Sequence, residues 1–314
     1  MSVATSMKRQ SEMAGKQAIL IAGPTASGKS GLAVELAERH DGVVVNADSM
    51  QVYDGLSILT ARPEADALAR VPHRLYGHVA PDRIYSVGAW IRDVAPVLEE
   101  IRAAGKLPIL CGGTGLYFKA LLGLLDDLPE VPPKIRERWR NRLAEEGAPA
   151  LHALLARSDP SAAQRIDPAD GQRIVRALEV GEAAGQPLSA LQTGRRPGLL
   201  EPAACVKLVT APERSVLRQT IAERFAQMMA AGALEEVAAF RTIPGAMDGS
   251  AAKAIGVAEL SAVLDGTMAR DVAVARAATR TRQYAKRQET WFRHQFDPSW
   301  QRLPAPDIVA IETI

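Results

Sequence analysis

The chain has 314 residues, of which 47% are hydrophobic and 24% charged, and its formal net charge at pH 7 is +2. This composition is that of an ordinary soluble globular protein with a real core, built as one large or two smaller domains. The small net charge argues against a protein that binds polyanions over its whole surface, but it allows local basic surfaces. Because no apolar run reaches the ~18 residues of a membrane helix, we expect no membrane span.

The cysteines and the N-terminal residues give evidence about the cellular compartment of the protein. Cys111 and Cys205 each lie in an apolar, strand-like run, and their spacing indicates neither a metal site nor a disulfide. We therefore expect two buried thiols and a reducing cytoplasm. Residues 1–15 are polar and lack the apolar core of a signal peptide, so we predict a disordered tail there.

The first part of the chain alternates strands and helices. Strands are predicted at 17–23, 42–47 and 107–113, and helices at 29–40, at 86–105 with Ser86 as N-cap, and from Leu116 onward. Such alternation predicts a parallel sheet that is covered on both faces.

The pattern changes at the sequence LPEVPP, residues 128–133. Only helices are predicted next, at 134–146, 149–157, 171–184 and 187–193, before a strand at 205–211. The last third is predicted to be helical at 213–241, 252–265 and 270–295, with a looser end at 297–306. We therefore predict an α/β core formed by 16–127 and 205–314, a helical insertion at 128–204 and a mainly helical C-terminal part.

Residues 23–30, GPTASGKS, fit the phosphate-loop pattern G-x-x-x-x-G-K-[ST]. The two glycines allow a tight turn whose N–H groups point at phosphate oxygens, and the helix that opens at Lys29 adds its positive end. Since the motif follows a predicted strand, the core is predicted to be P-loop NTPase-like. The predicted phosphate-binding residues are Gly23, Pro24, Thr25, Ala26, Ser27, Gly28, Lys29 and Ser30, with the Ser30 hydroxyl as a ligand of Mg²⁺. The motif leaves open whether the phosphate belongs to a nucleotide.

Asp48 comes just after the second predicted strand, at the sheet edge where α/β proteins bind ligands. It could hold magnesium or accept a proton, and a purely structural role in a turn or helix cap is as well supported. Ser49, Gln51 and Tyr53 follow on the same predicted loop, and all three can form hydrogen bonds.

A second glycine loop, CGGTG at 111–115, follows the third predicted strand. Gly112 and Gly113 permit close approach of the backbone, and Thr114 stands at the start of a helix, where a capping role would explain it without a ligand. Two helix N-termini at one crevice would favour a diphosphate over a single phosphate.

Two predicted helices are strongly basic. The first begins with Lys134, Arg136, Arg138, Arg140 and Arg142. In the second, helical spacing places Arg276, Arg280 and Arg287 on one face, and Arg282, Lys286 and Arg293 on another. Such clusters are typical of a nucleic-acid footprint, although a solvated face balanced by acidic neighbours is also consistent with them.

Taken together, the motifs resemble those of the tRNA dimethylallyltransferase family over residues 18–296. The blocks that carry the resemblance are GPTASGKS, DSMQVY (48–53), TARP (60–63), PHRL (72–75), GGTGLYFKALL, QRIVRALEV (172–180), KAIG (253–256) and KRQETW (286–291).

The resemblance implies an enzyme that transfers the dimethylallyl group of dimethylallyl diphosphate to the N6 amine of the adenosine 3′-adjacent to the anticodon of tRNA. We expect it to use Mg²⁺ at Ser30 and to work in the cytoplasm. Since no coiled coil or exposed apolar stretch in the sequence demands a partner, we expect a monomer with no obligate protein partner. The resemblance also implies that Asp48 is the general base, that Lys29 and Thr114 take part in catalysis, and that Lys253 lies near the diphosphate. The implied contacts with the anticodon arm are Asp48, Ser49, Met50, Gln51, Thr114, Arg136, Gln172, Arg173, Ile174, Val175, Arg176, Lys286, Arg287 and Arg293.

Three positions depart from the family pattern. Leu59 stands in place of the usual Gly, Gly171 in place of a frequent Pro, and Val257 in place of the usual Tyr. None removes a charged or nucleophilic group, so we expect altered packing or substrate fit. At position 257 an aromatic ring could have stacked on RNA.

Three other functions compete with this interpretation. A P-loop kinase would use residues 128–204 as a lid and would consume ATP. A prenyltransferase for free adenine nucleotides would have no use for the basic helices. A noncatalytic RNA-binding protein would not need the intact Lys29, Ser30 and Asp48.

Overall fold

The computed structural model describes residues 15–192 and 197–305, so the tail predicted at 1–15 lies outside the described residues, apart from Gly15. The chain forms two compact units. The first contains the residues up to Leu122 and from Leu199 onward, and the second is Gly123–Gly198. The first helix of the second unit begins at Pro133, and the residues from Leu199 to the strand at Cys205 belong to the first unit.

The first unit is built on a parallel sheet, as predicted. Its strands are β1 (Ala18–Ala22), β2 (Gly42–Asn46), β3 (His73–Arg74), β4 (Leu107–Gly112), β5 (Cys205–Thr210) and β6 (Gln301–Leu303). They lie in the order β3-β2-β4-β1-β5-β6, and every pairing is parallel. The strands β3 and β6 were not predicted, and β6 corrects the expectation of a looser end. Both are sheet-edge strands of two or three residues, too short to show a periodic pattern.

The α-helices are numbered in chain order. They are α1 (Lys29–His40), α2 (Ala65–Arg70), α3 (Val87–Ala103), α4 (Gly115–Leu121), α5 (Pro133–Ser158), α6 (Pro160–Arg165), α7 (Gly171–Ala184), α8 (Leu188–Leu191), α9 (Arg214–Ala230), α10 (Ala233–Arg241), α11 (Val257–Leu264) and α12 (Arg270–Gln295). None of the described helices is long and apolar enough to cross a membrane.

Most predicted helices are confirmed, with two corrections. The helix predicted at 213–241 is divided into α9 and α10, because Gly232 has a φ of 98°. The short helices α2 and α6 were not predicted. The break predicted between 146 and 149 is present as a kink in α5 at Gly147, whose φ is 79°. Ser86 caps α3 as predicted, since its Oγ accepts the Ala89 N–H at 3.2 Å.

The core of the first unit lies between the sheet and the surrounding helices. All five residues of β1 are at most 1% exposed, which explains its uninterrupted apolar sequence. Trp90 of α3 stacks on Tyr117 of α4 with ring centroids 4.4 Å apart. Both cysteines are buried, as expected, and burial raises the pKa of each thiol to about 11. These thiols therefore remain protonated at neutral pH.

The second unit has a core of its own, made only from helices. Leu151 and Leu155 of α5, Ile174 and Val180 of α7 and the Trp139 side chain belong to this core. The Trp139 indole N–H donates to Glu182 Oε2 at 2.8 Å, so the buried ring keeps its polar group satisfied.

Candidate active site

The phosphate loop connects β1 to α1, as the motif predicts. Its turn requires left-handed backbone at Gly28, with a φ of 81°, and at Ala26, with a φ of 63°. The buried Ser27 hydroxyl lies 2.6 Å from the hydroxyl of Thr210 in β5. A Cβ on Gly23 would lie 1.9 Å from that Thr210 hydroxyl, so only glycine fits where the loop leaves the sheet. Ser27 therefore anchors the loop to the sheet.

Lys29 stands at the start of α1, and its amine donates to the Pro24 carbonyl at 3.2 Å. Burial lowers the pKa of this amine, while the nearby Asp48 carboxylate raises it and the Arg224 guanidinium lowers it further. A second cation and a carboxylate therefore lie within electrostatic range of the loop. The site has the charge balance of a receptor for an anion.

Ser30 is the next residue of α1 and is exposed. The described residues contain no group of three or more His, Cys, Asp and Glu side chains that could hold a metal ion. A magnesium ion at this loop would fit the common pattern in which one hydroxyl, water and phosphate oxygens supply most ligands.

Asp48 follows β2 at the same edge of the sheet as the phosphate loop. Its Oδ1 accepts the Met50 N–H at 2.9 Å, and its Oδ2 accepts the Gly113 N–H at 3.3 Å. The Asp48 N–H donates to Asn46 Oδ1 at 2.8 Å, and the buried Asn46 amide donates to the Asp48 carbonyl at 3.1 Å. The two N–H donors hold the carboxylate in one orientation, as a proton acceptor requires, and the buried Asn46 fixes the backbone of Asp48.

The glycine loop after β4 packs directly against the Asp48 loop. The Thr114 N–H donates to the Ala47 carbonyl at 3.2 Å, and the Thr114 hydroxyl accepts the Ser49 N–H at 2.9 Å. A Cβ on Gly112 would lie 2.0 Å from the Ala47 carbonyl carbon and oxygen. The glycines thus bring the ends of β2 and β4 together.

Gln288 of α12 was missed by the sequence analysis. It is 6% exposed, and its side chain reaches both the phosphate loop and the glycine loop. Helical spacing places Gln288 on the same face of α12 as Ala285 and Phe292, and both of these are buried. A polar residue on an otherwise apolar face is the sequence signal that could have identified it.

Arg224 of α9 was also missed. Burial lowers the pKa of its guanidinium, while the nearby carboxylates of Asp48 and Glu64 raise it. Its helical spacing from the buried Leu217 and Ile221 places it on the inward side of α9, and that spacing was visible in the sequence. An arginine on an inward face is a candidate ligand for a phosphate group.

Other predicted residues lie farther from the phosphate loop or serve the local structure. Lys253 is exposed on the 3₁₀ turn Ala251–Lys253, and no hydrogen bond in the described residues joins it to the phosphate loop. The Gln51 amide donates to the Thr60 and Ala61 carbonyls at 2.8 Å each, so it braces the loop at 60–63.

The exposed face of α12 carries the predicted basic residues Lys286, Arg287 and Arg293. An open cleft of about 540 Å³ is lined by Lys286 and Arg287 together with Gln283, Thr290, Trp291, His294 and Gln295. Arg280 differs from these cations, because it pairs with the buried Glu259 at 2.6 Å. Arg280 is therefore less available to bind RNA than Lys286, Arg287 and Arg293.

The predicted RNA-contacting residues of the second unit have different environments. Gln172, Arg173 and Arg176 of α7 are exposed, whereas Ile174 and Val175 are 0% and 6% exposed and pack in the core. Desolvation raises the pKa of the buried Glu179, and the nearby Arg176 and Arg136 guanidiniums only partly oppose this shift. Because the side chains of Ile174 and Val175 are buried, only the exposed Gln172, Arg173 and Arg176 of this predicted set have side chains that can contact RNA.

The three departures from the family pattern all affect packing. Val257 is fully buried, which places it in the core and away from a stacking surface. The Leu59 side chain lies over Gly256, where an added Cβ would come within 2.8 Å of Leu59 Cδ2. A Cβ on Gly171 would lie 2.8 Å from Leu143 Cδ1. Leu59 and Val257 thus flank the same turn in the first unit.

Comparison with known families and curated proteins gives consistent matches. A family model described as IPP transferase matches residues 51–295, and one described as isopentenyl transferase matches residues 16–81. The tRNA dimethylallyltransferase of Sinorhizobium medicae is 54% identical over 290 residues, which are 92% of this chain and 95% of the relative. The tRNA dimethylallyltransferase of Chelativorans sp. is 54% identical over 289 residues, which are 92% of this chain and 99% of the relative.

Solved structures give a similar result. The full-length tRNA isopentenylpyrophosphate transferase from Bacillus halodurans aligns with a TM-score of 0.64 and 32% identity, over 94% of this chain and 92% of that one. A eukaryotic dimethylallyltransferase acting on tRNA aligns with a TM-score of 0.78 and 27% identity, over 93% of this chain and 74% of that one. The likeness covers nearly the whole chain and most of each relative.

Proposed function

The chain belongs to the tRNA dimethylallyltransferase family, and we propose that it transfers the dimethylallyl group of dimethylallyl diphosphate to the N6 amine of the adenosine 3′-adjacent to the anticodon. The single observation that best supports this reaction is the position of Asp48. Its oriented carboxylate lies within electrostatic range of Lys29 and Arg224, so a proton acceptor faces the anion site.

The reaction needs catalysis both at the attacking amine and at the departing diphosphate. The N6 lone pair of adenine is delocalised into the ring, so the amine is a poor nucleophile. As nitrogen bonds to C1 of the dimethylallyl group, the C1–O bond breaks and diphosphate leaves with the electron pair. The amine proton passes to Asp48, which its two N–H contacts keep in place.

Negative charge grows on the departing diphosphate, so donors placed there stabilise the transition state more than the ground state. The proposed donors are Lys29, Arg224 and the free amides of the loop at 23–30. The Thr25 amide is excluded from that set, because it already donates to Gln288 at 2.9 Å. Lys253 can contribute to this set of donors only if its side chain extends from its exposed turn to the diphosphate.

The proposed metal ion is Mg²⁺, with the Ser30 hydroxyl as its protein ligand. When bound, such an ion neutralises part of the diphosphate charge and makes it a better leaving group. Lys29 would supply positive charge to the diphosphate independently of the ion.

The acceptor base must leave its stack to reach Asp48, at a cost of a few kcal/mol. We propose that the exposed Lys286, Arg287 and Arg293 of α12, together with Arg136, Gln172, Arg173 and Arg176 of the second unit, bind the anticodon arm. Backbone and side-chain contacts at Ser49, Met50, Gln51 and Thr114 would then surround the extruded adenosine. Because tRNA is the substrate, the cytoplasm is the expected compartment, and no protein partner is required.

The direct test incubates the protein with Mg²⁺, dimethylallyl diphosphate and an anticodon stem-loop that carries the target adenosine, and weighs the RNA by mass spectrometry. We expect a gain of one dimethylallyl group on the RNA and none on AMP or ATP. Asp48→Ala should lower the rate about 10²–10⁴-fold while RNA binding stays intact. Near-normal turnover by that variant would refute the role of Asp48, and phosphate transfer from ATP would support a kinase instead.

A further inference from the structure

We infer that Gln288 is a positioning residue of the transfer reaction, which holds the phosphate loop at a fixed distance from the loops that carry the general base. This inference rests on the proposed function, because it concerns the geometry between the diphosphate and Asp48. Gln288 itself touches neither reacting group.

Gln288 joins two loops through both ends of its amide. Its Oε1 accepts the Thr25 N–H of the phosphate loop at 2.9 Å, and its Nε2 donates to the Gly113 carbonyl at 2.9 Å. Gly113 in turn donates its N–H to Asp48 Oδ2 at 3.3 Å. A short chain of hydrogen bonds therefore runs from the phosphate loop through Gln288 and Gly113 to the proposed base.

The surroundings of this amide leave it little freedom. A Cβ on Gly113 would lie 2.2 Å from Nε2 of Gln288, and a Cβ on Gly115 would lie 1.9 Å from the ring of Trp291, one turn further along α12. The glycine loop is thus shaped to receive this face of the helix. A buried amide with both ends satisfied fixes geometry in a way that an apolar side chain of equal size does not.

The link also explains why the phosphate loop and the acceptor site should act together. Asp48 Oδ2 and the Gln288 amide both contact Gly113, and Lys29 of α1 and Arg224 of α9 lie within electrostatic range of Asp48. Tyr284 and Arg287 lie on α12 itself. A shift of the phosphate loop against this set would misplace C1 of the donor relative to the amine. Misplacement on the order of 1 Å can cost roughly 100-fold in rate.

The test uses Gln288→Glu and Gln288→Met, with Gln227→Glu as a control at an exposed position on α9. In the Gln288→Glu variant, the ionised carboxylate can accept from Thr25 but cannot donate to Gly113, whereas the protonated carboxylic acid can do both. We expect kcat of Gln288→Glu to fall roughly 10–100-fold at pH 8, with RNA affinity unchanged. Burial and the nearby Asp48 carboxylate would raise the pKa of a carboxyl at this position. The ratio of the Gln288→Glu rate to that of the wild type should therefore rise as pH falls from about 8 to about 6, because the fraction of protonated acid increases.

Gln288→Met should lose rate by a similar factor but show no recovery at low pH, since it has no group to protonate. A purely structural role would lower the amount of folded protein and leave the ratio for Gln288→Glu flat with pH. A flat ratio, or a wild-type rate in either Gln288 variant, would overturn the inference even if Gln288→Met failed to fold. A wild-type enzyme that does not prenylate RNA would instead overturn the proposed function.

Discussion

The Thr114 hydroxyl accepts the Ser49 N–H at 2.9 Å and donates to the Ser49 hydroxyl at 3.1 Å. This pair ties the start of α4 to the loop that begins with Asp48. Thr114 does not cap its own helix, because no N–H of α4 donates to its side chain. Its hydroxyl is therefore committed to ordering the loop that carries the proposed base.

Thr114→Val should release that loop. The substitution keeps the shape of the side chain but removes the acceptor for a partly buried N–H, which costs about 1–3 kcal/mol. We expect a lower urea midpoint and a lower kcat, with little change in affinity for the diphosphate. Thr114→Ser keeps the hydroxyl and is the matched control. A loss in Thr114→Ser together with normal behaviour of Thr114→Val would show that the methyl group, not the hydroxyl, matters.

Lys29→Met should separate binding from stability. Burial lowers the pKa of the Lys29 amine, so the folded protein releases this proton at a lower pH than the unfolded chain does. The contribution of this group to the free energy of unfolding therefore rises as pH increases from the lowered pKa towards the ordinary value of 10.5. At neutral pH the amine is charged, and this charge destabilises the folded protein. We expect Lys29→Met to raise the melting temperature at neutral pH.

The same variant should bind diphosphate more weakly. Loss of a charged donor costs about 1.5–3 kcal/mol, which corresponds to roughly 10–100-fold in affinity. Calorimetric titration with inorganic diphosphate and thermal unfolding measure the two effects on the same sample. A variant that is both less stable and normal in diphosphate binding would contradict this account of the loop.

The site was predictable where local sequence carried the information. The phosphate loop, Asp48 and Thr114 each follow a strand in a recognisable motif, and the parallel sheet brings the ends of those strands together. Gln288 and Arg224 were missed because their partners are remote in sequence, with Gly113 lying 175 residues before Gln288. The packing of α9 and α12 on each other, and of α12 on the phosphate and glycine loops, decides such contacts. Helical periodicity alone gives only the face of the helix.

Leu59 should be important for stability although it departs from the family pattern. It is 8% exposed and lies over Gly256, whose φ of 106° disfavours any side chain there. Leu59→Ala should therefore leave a cavity and cost about 2–4 kcal/mol in the free energy of unfolding. The control is Leu68→Ala, because Leu68 is 52% exposed and should cost less than ~0.5 kcal/mol.

Prenyl transfer by Leu59→Ala should be nearly normal at a temperature well below unfolding. The Leu59 side chain contacts the turn at Gly256, and its backbone N–H donates to Glu236 Oε2 at 2.9 Å, a bond that the substitution keeps. Chemical unfolding and turnover measured together test this separation. A strong loss of rate without a loss of stability would place Leu59 in the substrate site.

Charge reversal at Arg136 or Arg287 should weaken RNA binding without affecting the diphosphate. Each cation that neutralises a phosphate releases a counterion, so the slope of log affinity against log salt should become shallower by about 0.7–0.9 per contact. Arg157→Glu is the control, because it makes the same change of charge at an exposed position near the other end of α5. Binding of an anticodon stem-loop measured at several salt concentrations gives both affinity and slope.

Arg136→Glu and Arg287→Glu should each lower RNA affinity more than Arg157→Glu does, while titration with inorganic diphosphate stays at the wild-type value. If all three reversals weaken RNA binding equally, the protein attracts RNA only through its overall charge. If neither Arg136→Glu nor Arg287→Glu changes affinity or slope, the anticodon arm binds elsewhere. A change confined to Arg287→Glu would restrict the footprint to α12, next to the helix face that carries Gln288.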